Sequence, residues 1–230
     1  DHPDTLTTRH NIAYWHAQAG EIQPAIAAFE DLLADRTRVL GPDHPDTLAM
    51  RHNIASYRAQ AGEIQPAIAA FEDLLAAQTR VLGTDHPETL GTRQNIASYR
   101  AQVGEIEPAI AGFEDLLADQ IRLLGPDHPE TLGTRHWIAQ LKGDIRAHDQ
   151  ALAGFEQLIR DATDALGADH AQTLRARSRR AYVLAQAGRT SEAIAAAETL
   201  LADQTRALGA DHADTRTTAE RLAQWRGEAG

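Results

Sequence analysis

Apolar residues recur at spacings of three and four in two consecutive segments of this chain, which is the spacing of an amphipathic helix. In the first segment the apolar positions are Leu48, Ile54, Ala55 and Ala61. In the second they are Ala67, Ile68, Phe71, Leu74, Leu75 and Leu82. The alternation of apolar and polar residues that marks a strand is absent. The pattern therefore predicts a pair of helices and an all-α fold.

The ends of both helices carry ordinary start and stop signals. Pro45 suits a first helical turn, where the missing N–H costs nothing, and Asp46 adds a carboxylate at the positive end of the helix dipole. Gly62 ends the first helix as a left-handed cap. Pro66 lies in the first turn of the second helix, and Gly83 ends it.

The same pair of segments returns every 42 residues. Segments 1–42 and 43–84 are identical at 34 of 42 positions, as expected after recent tandem duplication. We therefore predict one array over residues 1–230 with eleven helices, the last near residues 213–227. Its repeats are residues 1–42, 43–84, 85–126, 127–168, 169–210 and a partial repeat, 211–230.

The fourth repeat departs from this pattern at its inner turn. Gly143 comes three positions early, and Arg146 stands where the other repeats have a turn glycine. The sequence therefore predicts a shifted turn between residues 140 and 150.

The residues Ile54-Ala55, Gly62, Ala67 and Phe71 resemble the signature of the tetratricopeptide repeat. The 42-residue period and the phrase "LGPDHPDT…NIA" resemble the longer type found in kinesin light chains and in many bacterial proteins. This resemblance implies an α-solenoid of stacked antiparallel helix pairs wound as a right-handed superhelix. The sequence departs from the family where Arg58 and Arg100 replace a usual tyrosine, with Tyr57 and Tyr99 displaced by one position.

Composition excludes several classes of function. No stretch approaches the roughly 20 apolar residues that span a bilayer, so we expect no membrane contact. A net charge of −11 argues against nucleic acid. The chain has no cysteine, which fits the cytoplasm and removes thiolate chemistry. Lys142 is the single lysine among 22 basic residues, which together with abundant alanine suggests a GC-rich bacterial genome.

An Asp-His pair recurs once per repeat, and it raises the question of metal binding or catalysis. Its histidines are His2, His44, His86, His128, His170 and His212. Metal ligands must converge within about 2–2.6 Å of one ion, whereas stacked repeats hold equivalent residues at least a helix-packing distance apart. We therefore interpret the pairs as joints whose side chains satisfy free amides at helix starts.

A second recurring set of histidines, His10, His52 and His136, is interpreted as packing or surface residues. No phosphate loop or nucleophile elbow is present. The sequence thus predicts no catalytic site, no metal site and no cofactor.

The first helices carry a recurring polar stripe. Its members are Asn11, Asn53, Ser56, Gln60, Asn95, Ser98 and Gln102. In tetratricopeptide arrays the corresponding face lines a concave groove, and the resemblance implies that the asparagines hold the backbone or terminal carboxylate of a bound peptide. Asparagine is a mediocre helix former, which favours a role in binding. The alternative is that these residues only face water.

Further along the chain the stripe becomes basic. The asparagine position is occupied by Trp137, Arg179 and Arg221, and the fifth first helix adds Arg175 and Tyr182. We expect all these groove residues on one concave surface, with an acidic side chain or C-terminal carboxylate docking on Arg175 and Arg179. The alternative, that the arginines pair with the array's own aspartates and glutamates, such as Glu192 or Glu198, stays open at this point.

These features predict a protein–protein interaction scaffold that binds a peptide or partner protein. Because the chain begins at Asp1 within the pattern, we interpret it as part of a longer protein. An alternative function is therefore a sensor or regulatory repeat region of a larger bacterial signalling ATPase. End-to-end self-association through apolar helix faces is a further option.

Overall fold

The computed structural model describes residues 3–229, and this part of the chain contains eleven α-helices and no strand. The eleven predicted helices and the all-α fold are confirmed. The helices are α1 (Pro3–Gln18), α2 (Ile22–Leu40), α3 (Pro45–Gln60), α4 (Ile64–Val81), α5 (Pro87–Gln102), α6 (Ile106–Leu124), α7 (Pro129–Asp144), α8 (His148–Leu166), α9 (Ala171–Gln186), α10 (Thr190–Leu208) and α11 (Ala213–Ala229).

The chain divides into two compact units, residues 1–112 and 113–230, with the boundary inside α6. In the first unit, α1 to α5 pack in chain order, each on the next. In the second unit, α7 to α11 do the same. The prediction of one continuous array over residues 1–230 stays a prediction.

Histidines close the joints between repeats. Nδ1 of His44 accepts a hydrogen bond from the backbone N–H of Asp46 at 3.2 Å and so caps the start of α3. The same bond, at 3.2–3.3 Å, is formed by His86, His128, His170 and His212. The interpretation of these four and His44 as helix caps is confirmed. His2 lies outside the described residues.

A buried threonine reinforces four of the five joints between repeats in the described part of the chain. The Thr47 hydroxyl donates to the carbonyl of Gly41 at 2.9 Å, joining the start of α3 to the end of the preceding second helix. Equivalent bonds of 2.8–2.9 Å are formed by Thr89, Thr131 and Thr173. These bonds satisfy carbonyls that a helix end leaves free.

The predicted shift of the turn in the fourth repeat is wrong. Helix α7 has 16 residues, as α5 does, and Arg146 adopts a left-handed φ of 60° at the position of the turn glycines. Arginine can hold this conformation at a modest cost, so the turn keeps its place. The early glycine has a packing role, because a Cβ on Gly143 would lie 3.1 Å from Cγ2 of Val183 on α9.

The displaced tyrosines are explained by stacking between repeats. Tyr57 stacks on Phe29 with ring centroids 5.4 Å apart, and Tyr99 stacks on Phe71 at 5.7 Å. The arginine that follows each tyrosine points to a different partner. Arg58, for example, donates to Glu30 at 2.5 Å. A one-residue shift thus serves both a ring contact and an ion pair.

The second unit fills the equivalent space with other residues. Ala197 stands where the earlier second helices have phenylalanine, and Trp225 stands at the tyrosine position. Trp225 is only 6% exposed and belongs to the same core cluster as Ala197. The larger indole therefore compensates for the missing phenyl ring.

Candidate functional site

The polar stripe of the first unit lies on the first helices of three repeats, with graded exposure. Asn11, Gln60 and Gln102 are exposed. Asn53, Ser56, Asn95 and Ser98 are half-buried. Among the half-buried members, Asn53, Ser56 and Asn95 form side-chain hydrogen bonds.

A pocket of about 220 Å³ opens between α3 and α5 in this unit. It is lined by Ala49, His52, Asn53, Gln78, Glu88 and Gly91. A Cβ on Gly91 would meet no atom within 4 Å, so this side of the pocket is open. Asn53 is the one predicted groove residue among those lining it.

His52 forms one wall of this pocket and is held from two sides. Its ring meets Phe71 edge to face at 5.3 Å, and Nδ2 of Asn95 lies 3.1 Å from its Nε2. Burial lowers the pKa of His52 below its ordinary value, so the ring is neutral and Nε2 can accept the Asn95 hydrogen bond. The Ser56 hydroxyl donates to the backbone carbonyl of His52. Asn95 and Ser56 thus bond the scaffold itself.

Gln78 forms a rigid side of the pocket, and Glu88 forms an acidic side. Gln78 is 1% exposed, and its side-chain oxygen accepts a hydrogen bond from Thr92 at 2.7 Å. Glu88 places a carboxylate at the start of α5, where the helix dipole favours it. This pocket therefore suits a ligand that offers hydrogen-bond donors.

The second unit repeats the pocket between α7 and α9, with a volume of about 100 Å³. It is lined by Leu132, Gly133, His136, Trp137, Leu158, Gln172 and Arg175. Gln172 stands at the position of Glu88, and Arg175 stands at that of Gly91. These two changes turn an acidic pocket into a basic one.

His136 is the equivalent of His52 and packs edge to face on Phe155 at 5.5 Å. Burial, followed by the positive charges of Arg179 and Arg175, lowers the pKa of His136 to about 4. The imidazole is therefore neutral at pH 7. The two arginines act on the buried ring from the same stretch of α9.

Arg175 is exposed, Arg179 is half-buried, and neither forms an ion pair within residues 3–229. The acids considered as their partners are engaged elsewhere. Glu192 pairs with Arg189 at 2.6 Å, and Glu198 pairs with Arg226 at 2.6 Å. Pairing of Arg175 and Arg179 with these two glutamates is therefore wrong, because nearer arginines hold both carboxylates.

Tyr182 lies beside a third arginine of the same unit. The guanidinium carbon of Arg221 is 5.1 Å from the centre of the Tyr182 ring, a cation–π arrangement. This contact fixes the tyrosine next to the basic residues of α9.

Helix α1 exposes apolar side chains that its equivalents bury. Ile12 is 51% exposed, whereas Ile54 is 5% exposed. Trp15, at the position of Tyr57, is 67% exposed. This face bears on end-to-end self-association, which stays a prediction.

Several pocket residues were not predicted from the sequence. Glu88 and Gln172 were absent from the predicted groove, and His52 and His136 were interpreted only as packing residues. A signal was present in the spacing, because His52 immediately precedes Asn53 and Glu88 follows the joint histidine His86. The packing interpretation of His10, His52 and His136 is confirmed by their edge-to-face contacts with Phe29, Phe71 and Phe155.

Two absences hold over the described part of the chain. No group of three or more histidine and acidic side chains there is placed to hold one metal ion. None of the described helices is long and apolar enough to cross a bilayer.

These recurring helix pairs define a helical repeat protein. Two models of the tetratricopeptide repeat family match the chain, one over residues 4–79 and the other over residues 89–130 and 173–214. The chain belongs to the tetratricopeptide repeat family and is of the kinesin-light-chain-like type. A comparison with curated proteins found no match.

Solved structures show the same fold. One solved structure is described as the nearly identical TPR-like repeats of a kinesin light chain from Podosopora anserina, and its sequence is 25% identical to this chain. The two structures superpose with a TM-score of 0.77 over 90% of this chain and 99% of that one. BtubC (BKLC) from P. vanneervenii is 15% identical, with a TM-score of 0.74 over 91% and 84%. The apo form of RapI is 9% identical, with a TM-score of 0.73 over 98% and 84%. Repeats of this family support a general role as a protein-interaction scaffold.

Proposed function

We propose that this chain is a non-catalytic scaffold that binds a peptide or partner protein in the pockets of its first helices. The observation that carries the proposal is the recurrence of one pocket in both units, on equivalent residues of α3 and α5 and of α7 and α9. Packing alone would close such a gap with a larger side chain. Instead Gly91 and Gly133 keep it open.

The pocket of the first unit suits a peptide backbone. The Asn53 amide can donate and accept at once, as a peptide group requires. Glu88 adds a carboxylate that accepts hydrogen bonds from N–H groups. A neutral His52 leaves the pocket without a positive charge that would compete for Glu88.

The pocket of the second unit suits an acidic group. Arg175 lines it and Arg179 lies close enough to lower the pKa of His136; neither arginine forms an ion pair within residues 3–229, although the charge of Arg179 also lowers the pKa of Asp144. Guanidinium groups bind carboxylates through paired, directional hydrogen bonds. We propose that this pocket takes an acidic side chain or a C-terminal carboxylate of the partner.

The proposal is tested by blocking each pocket without changing its charge. Peptides are first selected from a random display library on the wild-type protein, and their affinities are then measured by fluorescence anisotropy. Gly91→Leu and Gly133→Leu place a side chain in the open space, and leucine is a better helix former than glycine. Gly227→Leu, at an open position of α11 outside both pockets, is the matched control.

We expect at least one blocking variant to weaken binding by about tenfold or more, a loss of about 1.4 kcal/mol, while the control binds as wild type does. If both blocked variants keep the wild-type affinity for every selected peptide, the pockets are not the binding site.

A further inference from the structure

A larger pocket of about 360 Å³ lies in the second unit among α8, α9 and α10. It is lined by Glu156, Ile159, Arg160, Arg177, Arg180, Ala196 and Thr199. Three guanidinium groups and one carboxylate give this lining a net charge of +2. Such a lining is unusual in a chain whose own net charge is −11.

This pocket is separate from the one proposed for peptides. Arg177 is two residues from both Arg175 and Arg179, which is about 200° around the helix axis. Helix α9 therefore presents arginines on two opposite sides. One side faces the first-helix pocket, and the other faces the second helices α8 and α10.

The equivalent residues of the first unit do not share the positive charge of this pocket. At the equivalent positions of the first repeats, Ala34 stands for Arg160, Ile54 for Arg180 and Asp73 for Thr199. Each of the three differences makes the later pocket more basic by one charge. The equivalent set in the first unit, with Glu30, Arg51 and Asp73 as its charged members, has a net charge of −1.

Arg180 is the most informative of these residues, because it occupies a position where Ile54 is buried in the core. Its Nη2 donates to Glu156 at 2.8 Å, but its buried Nε–H has no hydrogen-bond partner within the described chain. Leaving a buried donor unsatisfied costs free energy that isoleucine at this position would not incur. Arg180 supplies the ion pair to Glu156 that Arg58 makes with Glu30 in the first unit, because Leu184 stands at the Arg58 position, while the Nε–H of Arg180 is left without a partner within the described chain.

The other two arginines hold the sides of the pocket. Arg177 donates to Asp203 at 2.7 Å, which keeps its side chain in place. Arg160 donates to the side-chain oxygen of Gln157 at 2.7 Å, a neutral partner that leaves its charge uncompensated. Ile159 and Ala196 add apolar surface between these charged groups.

We propose that this pocket binds an organic anion, with a carboxylate or phosphate group on Arg160 and Arg180 and a short apolar portion against Ile159 and Ala196. Guanidinium groups match both oxyanions in geometry. The volume of about 360 Å³ falls within the range of small-molecule pockets, which begins at roughly 300 Å³. The site does not depend on the proposed function of the first-helix pockets.

Reversion to the residues of the array provides variants that should fold. Arg180→Ile and Arg160→Ala restore the side chains that equivalent positions carry in the other unit. Arg216→Ala removes an exposed arginine of α11 outside both pockets and is the charge-matched control. Circular dichroism verifies the helix content of every variant.

Binding is measured by calorimetric titration with glutarate and with inorganic phosphate, and by the NMR signal of the Arg180 Nε–H. We expect glutarate to bind and to shift this signal. Arg180→Ile should weaken binding by about 10-fold or more, as for a lost charge-assisted hydrogen bond, and Arg216→Ala should leave it unchanged.

The source of the anion is distinguished with the blocked peptide acetyl-Ala-Glu-Ala-amide. Tighter binding of this peptide than of glutarate assigns the site to an acidic side chain of a partner, and the reverse assigns it to a free metabolite-like anion. Absence of glutarate, phosphate and peptide binding overturns the proposal. Equal binding by wild type and Arg180→Ile, which would indicate general attraction to the basic surface, also overturns it.

Discussion

Nδ2 of Asn95 lies 3.1 Å from Nε2 of His52, so the third first helix is hydrogen-bonded to the wall of the pocket on the second. The two asparagines of the predicted stripe in this region therefore differ in role. Asn95 bonds the scaffold, whereas Asn53 lines the pocket itself. Equivalent positions in the sequence do not have equivalent partners.

This difference predicts opposite effects on stability and binding. Asn95→Ala should lower the free energy of unfolding by about 1 kcal/mol, because it removes a part-buried hydrogen bond. Asn53→Ala should lower stability less than Asn95→Ala, because Asn53 bonds His52 from its own helix, and should weaken peptide binding by about 0.5–1.5 kcal/mol. Urea denaturation and fluorescence anisotropy measure the two quantities. Gln150→Ala, at an exposed position of α8 outside both pockets, is the control.

The low pKa of His136 predicts acid sensitivity. In the unfolded chain this histidine has an ordinary pKa of 6.5, whereas burial and two arginines hold its pKa at about 4 in the folded protein. Between these values the unfolded state binds more protons, so stability falls as the pH drops from 6.5 to 4. The total loss from this residue is about 3 kcal/mol.

The contribution of His136 is isolated by comparison with His136→Gln, since the third repeat carries Gln94 at the same position. The difference in stability between the two proteins should be constant above pH 6.5 and change below it, with the variant the less acid-sensitive. In addition, Arg175→Ala with Arg179→Ala should raise the pKa of His136 measured by NMR. Parallel stability curves for wild type and His136→Gln would contradict the buried, neutral histidine.

The left-handed Arg146 predicts a stabilising substitution. Arg146→Gly should raise the free energy of unfolding by about 0.5–1 kcal/mol, because glycine adopts a φ of 60° without strain. Gly104→Ala, at the equivalent turn, should lower it. Thermal denaturation of both variants is the measurement, and a destabilised Arg146→Gly protein would show that the arginine side chain makes a compensating contact.

The histidine caps predict that removing one of them lowers stability, and that removing metal ions does not. His128→Ala should lower stability by about 0.5–2 kcal/mol, as expected for a lost N-cap, whereas His128→Asn should retain most of it. Addition of EDTA should leave the melting temperature of the wild type unchanged. A shift of several degrees with EDTA would indicate that the Asp-His joints bind a metal ion.

Much of the fold was predictable because residues within each repeat mark where its helices begin and end. Proline and the joint histidine mark the first helix, and glycine marks the end of each element, so all eleven helices could be placed. The turn at Arg146 was predicted wrongly because the position of Gly143 was taken as a turn signal. Its actual role, close approach of Val183, depends on a helix that follows far later in the chain.

The candidate site was only partly predictable for a similar reason. The periodic asparagines and the arginines of α9 could be found from the pattern. Glu88 and His52, which forms one wall of the pocket, come together only when α3 and α5 pack side by side. The arginine pocket of the second unit was missed because its lining comes from three different helices. Each of these helices contributes one residue whose charge differs from that of its equivalent in the first unit.

The central claim is that the first-helix pockets bind partners and that the second of them recognises an acidic group. Its most direct test is the affinity of library-selected peptides with acidic ends for the variant Arg175→Glu with Arg179→Glu, and Arg206→Glu is the control. We expect the double reversal to lose about 2 kcal/mol or more of binding free energy, roughly 30-fold in affinity, and the control to change little. Equal affinities of the double reversal and the wild type would contradict the claim and assign these arginines to the scaffold.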